Sequence, residues 1–126
     1  MNARTDNPVE ALERVFHEPN RLAIMSAVCA AGRGVTFSDL KTACGLTDGN
    51  LNRHLKVLVQ AGGVRIEKSF VKDRPRTTVY VTAAGLRRFN EYLAALTRVL
   101  QRAKQSLADS AERRTRPVPS ARAVPA

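Results

Sequence analysis

The chain reads as an α+β protein, mostly α, with two short helices joined by a tight turn, a two-stranded basic hairpin and a long C-terminal helix. Three observations predict this. Leu51, Leu55 and Leu58 recur at helical spacing behind Thr47, a residue suited to capping a helix N-terminus. The period then switches to two over "VRIEKSF", with "TTVYV" as a β-branched partner. From Leu86 the apolar positions return to spacings of three and four and hold them for about three heptads.

A chain of 126 residues holds one core and is too short for two ordinary domains. With no Trp and only four Phe and two Tyr, that core must be largely aliphatic. No apolar run approaches the roughly 20 residues that span a bilayer, and "MNARTDNPVEALERVF" lacks the apolar stretch of a signal peptide, so a cytoplasmic location is expected. Cys29 and Cys44 lie far apart in apolar helical contexts and read as buried free thiols. The net charge of +10 is unevenly placed. Residues 1–46 carry five basic and five acidic side chains, residues 47–90 nine and three, and residues 91–126 seven and three. The excess begins where the Leu51 helix begins, which points to a polyanion partner.

Residues 1–7 are expected to be disordered, 8–112 to form the domain, and the basic, proline-rich 113–126 to be a disordered tail. A first helix is expected over about 8–17, where Val9, Leu12, Val15 and Phe16 share a face. The run Leu22, Ala23, Met25, Ala27, Val28 and Ala30 is apolar on most sides and predicts a second helix in the middle of the core, stopped by Gly32 and Gly34. Thr36 with Asp39 caps a third, with Phe37, Leu40 and Ala43 inward and Gly45 at its end. The fourth spans 47–61 and stops at Gly62 and Gly63. Short helix, turn and capped helix have the helix-turn-helix layout. In the hairpin, Val64, Ile66 and Phe70 are expected on one face and Arg65, Glu67 and Ser69 on the other, and "VKDRPR" forms a turn carrying Lys72, Arg74 and Arg76. The last helix, about 83–112, starts at Thr82 and carries Leu86, Phe89, Leu93, Leu96, Leu100, Ala103 and Leu107 as one narrow seam. Folding back covers Leu86 to Leu93; the rest overhangs and wants a partner helix, with Leu93, Leu96, Leu100 and Leu107 as dimerisation residues.

At 100° per residue, Gly49, Arg53, Lys56 and Gln60 lie opposite the leucines of the 47–61 helix, with Asn52 and Asn50 on the flanks. Arg can fork onto guanine and Asn onto adenine in the major groove, so these are groups that read bases. Asp48, at the helix start, serves capping better than reading. There is no Ser-His-Asp set, no paired inward carboxylates and no phosphate-cradling glycine loop, so an enzyme is not expected. Cys44 stands alone, and His17 and His54 are isolated, so neither a metal nor another cofactor is expected; His54 reads as a hydrogen-bonded packing residue.

The segments "HEPNRLAIMSAV", "LTDGNLNRHLKVLVQAGGV" and "EKSFVKDRPRTTVYVTAAG", in this order over about 8–95, resemble the winged helix-turn-helix transcriptional regulators of the MarR and ArsR type, most closely a compact MarR-like bacterial and archaeal group. The resemblance implies a homodimer on double-stranded DNA, with one 47–61 helix per subunit in successive major grooves and a hairpin wing over 71–76 on flanking DNA. Carried over by position, the recognition-helix contacts are Asp48, Gly49, Asn50, Asn52, Arg53 and Lys56, and the wing contacts Lys72, Arg74 and Arg76, joined by Lys68 on phosphate. The paired Cys-x-Cys of metal-sensing relatives is absent from "KTACGL". A sequence-specific regulator acting as a repressor is the expected function, open to a small-molecule effector. A sequence-tolerant architectural DNA binder and a protein-interaction adaptor remain alternatives.

Overall fold

The computed structural model describes residues 8–117; the expected disorder of 1–7 and of 118–126 falls outside them. In chain order come a 3-10 turn (Pro8–Ala11), α1 (Pro19–Ala31), β1 (Val35–Thr36), α2 (Phe37–Cys44), α3 (Asp48–Gln60), β2 (Val64–Val71), β3 (Arg74–Val81) and α4 (Ala83–Thr115). The strands form one antiparallel sheet in the order β1-β3-β2. It therefore has three strands rather than the expected two, because Val35 and Thr36 pair with Val79 and Thr78. The last helix runs through Thr115, three residues past the expected end.

The expected first helix over 8–17 does not form. The 3-10 turn gives way to isolated turns in which Phe16 N–H reaches Glu13 O at 3.1 Å and His17 N–H reaches the same oxygen at 2.9 Å. Ten residues are too few to hold a helix unaided, and a following Glu18-Pro19 disfavours helical backbone at Glu18, which is extended at φ −149°. Packing decides the outcome: Phe16 is fully buried edge-on against Phe89, with ring centroids 5.4 Å apart.

The core gathers Ile24, Met25 and Val28 of α1, Leu40 of α2, Leu51, Leu55 and Leu58 of α3, Val64 and Val79 of the sheet, and Phe89 and Tyr92 of α4. Helix α1 buries one face only, with Ala23 and Ala30 exposed, so it lines the core rather than running through its middle. Ala43, expected inward, is also exposed, since the eight-residue α2 commits only Leu40 fully. Between α2 and α3, Gly45 adopts φ 65°, and Leu46 N–H reaches Lys41 O at 3.1 Å while Gly45 N–H reaches Thr42 O at 3.3 Å. This is a Schellman end, with Leu46 against the core. Helix α3 is likewise fixed at both ends: Thr47 Oγ1 accepts from Asn50 N–H at 3.2 Å, and Gly63 N–H reaches Leu58 O at 2.9 Å past Gly62 at φ 79°.

Helix α4 begins in close contact with the α3–β2 turn. Thr82 donates its hydroxyl to Gly62 O at 2.6 Å and its N–H to Gly63 O at 3.1 Å, and it accepts from Gly85 N–H at 2.8 Å. Its core face is Gly85, Phe89, Tyr92 and Ala95. The seam read from the sequence splits here. Phe89 and Leu96 turn to the core, whereas Leu86, Leu93, Leu100 and Leu107, at strict intervals of seven, are 43%, 37%, 51% and 68% exposed. Folding back thus leaves Leu86 and Leu93 outside, because the face committed to the core is that of Gly85, Phe89, Tyr92 and Ala95, and the Leu86 stripe lies to one side of it around the helix.

Candidate nucleic-acid interface

Helix α3 is clamped to the protein on one side and open on the other. Leu51, His54, Leu55 and Leu58 are buried, whereas Asp48, Gly49, Asn50, Asn52, Arg53 and Lys56 are all exposed. His54 is the buried polar member and the link to α1: its Nδ1 stands 3.3 Å from Arg21 Nη1, its Nε2 stands 3.4 Å from Asn20 Nδ2, and Glu18 Oε1 lies 3.8 Å from Nδ1. Both neighbours present N–H groups and a neutral imidazole has a single acceptor, so the ring can accept from only one of them. Glu18 also accepts from Arg21 N–H at 2.8 Å as the α1 cap. Burial pushes its carboxyl up, but that N–H and the charges of His54 and Arg21 outweigh it and leave the group below the usual carboxylate range. Glu18, Asn20 and Arg21 thus support the exposed helix from behind, a role spread over a separation of more than thirty residues that no local pattern signals.

Asp48 is not presented freely. Its Oδ1 sits 2.8 Å from Lys41 Nζ, tying the first turn of α3 to α2, and its charge also suits a helix N-terminus. The reading face narrows to Asn52, Arg53 and Lys56, with Gly49 and Asn50 at its start; nothing lies within 4 Å of the position a Cβ on Gly49 would take.

The hairpin is longer and its turn tighter than expected. Val71 pairs with Arg74, so the turn is Lys72-Asp73 alone, both left-handed at φ 52° and 64°. Arg74, Pro75 and Arg76 therefore belong to β3 rather than to a loop. Val71 and Arg74 close the turn as a hydrogen-bonded pair, so alternation aims the nitrogen of Pro75 away from β2, to the side the two-residue β1 does not reach, where no donor is needed. Cross-strand register sorts the side chains: Val64, Ile66, Lys68, Phe70, Pro75, Thr77 and Val79 share the face towards α3, whereas Arg65, Arg74, Arg76 and Tyr80 share the other. The wing cations thus fall on both faces, with Lys72 at the tip. Phe70 lies on the expected face yet is 77% exposed, because the ribbon outruns the core.

Asn52, Lys56, Val59 and Gln60 of α3 face Ile66, Lys68 and Thr77 of the sheet across a groove floored by Phe37 and Leu55. Some basic groups are held by carboxylates: Arg88 holds Glu13 at 3.0 Å and Ala61 O at 2.6 Å, and Arg65 pairs with Glu67 beneath the Tyr80 ring, whose centroid is 4.2 Å away. Among the described residues, Arg53, Lys56, Lys68, Lys72, Arg74 and Arg76 pair with no carboxylate. The same holds for Arg87, Arg98, Arg102, Lys104, Arg113 and Arg114 of α4, so unpaired positive charge runs along that helix as well as over α3 and the hairpin. Burial pushes the thiols of Cys29 and Cys44 up, away from reactivity.

A family model described as winged helix DNA-binding domain matches residues 20–100, from the start of α1 to well along α4. The chain belongs to this winged-helix family. It is similar to the solved structure of a transcriptional regulator homologue from Pyrococcus horikoshii OT3, at 32% identity and a TM-score of 0.69 over 76% of this chain and 95% of that one. A MarR family transcriptional regulator from Silicibacter pomeroyi shares the fold at 21% identity and a TM-score of 0.57, over 90% of this chain and 81% of that one. An uncharacterised protein of Methanocaldococcus jannaschii is 42% identical over 57 residues, which are 45% of this chain and 62% of that protein. In winged-helix terms, α2 and α3 are the helix-turn-helix and β2 and β3 the wing. No helix among the described residues is long and apolar enough to cross a membrane.

Proposed function

We propose that the chain is a homodimeric, sequence-specific DNA-binding transcriptional regulator that acts as a repressor. The observation that carries this is α3: a helix capped at both ends and anchored by four buried residues, presenting Asn52, Arg53 and Lys56 outward beside a groove flanked by Lys68. In a major groove those side chains meet base edges, and a phosphate strand lies along the groove between Lys56 and Lys68. Repression follows from occupancy: the dimer covers two half-sites about one helical turn apart and blocks polymerase. An effector would act by altering the spacing of the two α3 helices.

Selection of bound sequences from a random DNA pool tests this directly. A two-fold symmetric site is the expected result, and a pool that never departs from random would overturn it. Residue roles separate in the same assay. Arg53→Ala is expected to lose about 1–3 kcal/mol on the selected site and relax base choice at one position per half-site, whereas Lys68→Ala weakens all sequences alike and lowers the salt slope by about one. Equal losses on selected and random duplex for both variants would show that α3 does not read bases.

A further inference from the structure

The wing carries an apolar pair that neither the core nor the reading helix uses. Among the described residues Phe70 is the most exposed of the large apolar side chains, at 77%, and Pro75 stands directly opposite it on β3. Both lie on the sheet face that looks towards α3. Moving outward along that face, Asn52 and Lys56 on α3 come first, Lys68 follows across the groove, and Phe70 lies two residues beyond Lys68, about 7 Å further out. Lys72 then sits in the turn. With α3 in a major groove and a phosphate strand between Lys56 and Lys68, the next feature past that strand is the minor groove, at the level of Phe70.

We infer that Phe70 is a minor-groove wedge: its ring inserts at a base step flanking each half-site, backed by Pro75, while Lys68 and Lys72 hold the phosphates on either side. This rests on the α3 reading proposed above. Charge selects the occupant. Residues 68–76 hold Lys68, Lys72, Arg74 and Arg76 against Asp73 alone, so two wing tips repel one another, whereas a polyanion is drawn to them. An apolar side chain in the minor groove unstacks the step it enters and kinks the duplex. Flexible pyrimidine–purine steps deform most easily, so the wedge adds a preference at positions no polar group touches.

The test places 2-aminopurine, which brightens when unstacked, in turn at each position flanking the half-sites of the pool-selected duplex, and compares the full-length protein with Phe70→Ala and Phe70→Leu. Wild type is expected to brighten one flanking position per half-site. Phe70→Ala abolishes that signal yet keeps the half-site preference and the thermal melting curve, since the side chain supports no core, and Phe70→Leu retains part of it. No brightening with wild type, or full brightening with Phe70→Ala, overturns the wedge while leaving the α3 reading intact if Arg53→Ala still relaxes base choice. A smaller sedimenting species for Phe70→Ala would show that the tip docks on protein instead. Failure of wild type to select any sequence would overturn both inferences.

Discussion

Leu93→Asp combined with Leu100→Asp is expected to convert the proposed dimer to monomers. Both leucines stand exposed on the stripe that also includes Leu86 and Leu107, and beyond Leu96 helix α4 has left the core. A helix of 33 residues is about 50 Å long, and among the described residues nothing of its own chain covers its distal half. Pairing of two such stripes buries each leucine twice over. A fully exposed leucine gains about 1.5–3 kcal/mol on burial, and with 37% and 51% of these two still open the double change removes on the order of 3–5 kcal/mol from the pair and adds buried charge. Sedimentation reads the result, and affinity for the selected site falls with the loss of the second half-site contact. An unchanged dimer would place the interface elsewhere, with the segment before α1 the next surface to examine. Leu96 is the poorer choice for substitution, because it packs against the core and its loss would weaken the fold as well.

Gly85→Ala is expected to destabilise the fold severely, although alanine ordinarily stabilises a helix interior over glycine by about 1 kcal/mol. The new Cβ would stand 2.0 Å from Gly63 O and 2.8 Å from Gly63 Cα, both backbone atoms that cannot swing aside. Helix α4 would have to lift off the α3–β2 turn and break the Thr82 hydrogen bonds to Gly62 and Gly63. A loss of about 3 kcal/mol or more follows, lowering the melting temperature by roughly 12–24 °C. Gly49→Ala is the control: nothing lies within 4 Å of its Cβ position, and melting should be unchanged or slightly raised. Equal melting of both variants would show that the approach of Gly85 to Gly63 does not constrain the fold.

What the sequence disclosed followed the range of each signal. Helix α3 was legible because its determinants are local: Thr47 caps it, the leucines repeat within it, and Gly62 ends it. The segment at 8–17 was misread because its periodicity is helical while its conformation is set from outside, by Phe16 inserting beside Phe89 and by Pro19 downstream. Strand β1 is two residues long and offers no alternation to detect. For Phe70, alternation gave the right face but could not say how far the core extends under it. The seam of α4 was visible as one stripe, and only the folded contacts divide it into a core face through Phe89 and an outer face through Leu93.

The candidate site shows the same division. Exposure of Asn52, Arg53 and Lys56 was deducible from the helix period alone. The ion pair that engages Asp48 with Lys41, the Glu18–Asn20–Arg21 cluster behind His54 and the placing of Arg74 and Arg76 on the far side of the sheet from Lys68 all depend on long-range register.

Whether α3 reads base sequence or merely follows the phosphate backbone is decided by equilibrium binding across a salt series to the selected duplex and to random duplex. With α3 as a reader, both affinities fall with salt while the selected site stays tighter by about a thousandfold or more at physiological ionic strength. Equal affinities with the same steep slope would contradict base reading and identify the basic surface as a sequence-tolerant clamp.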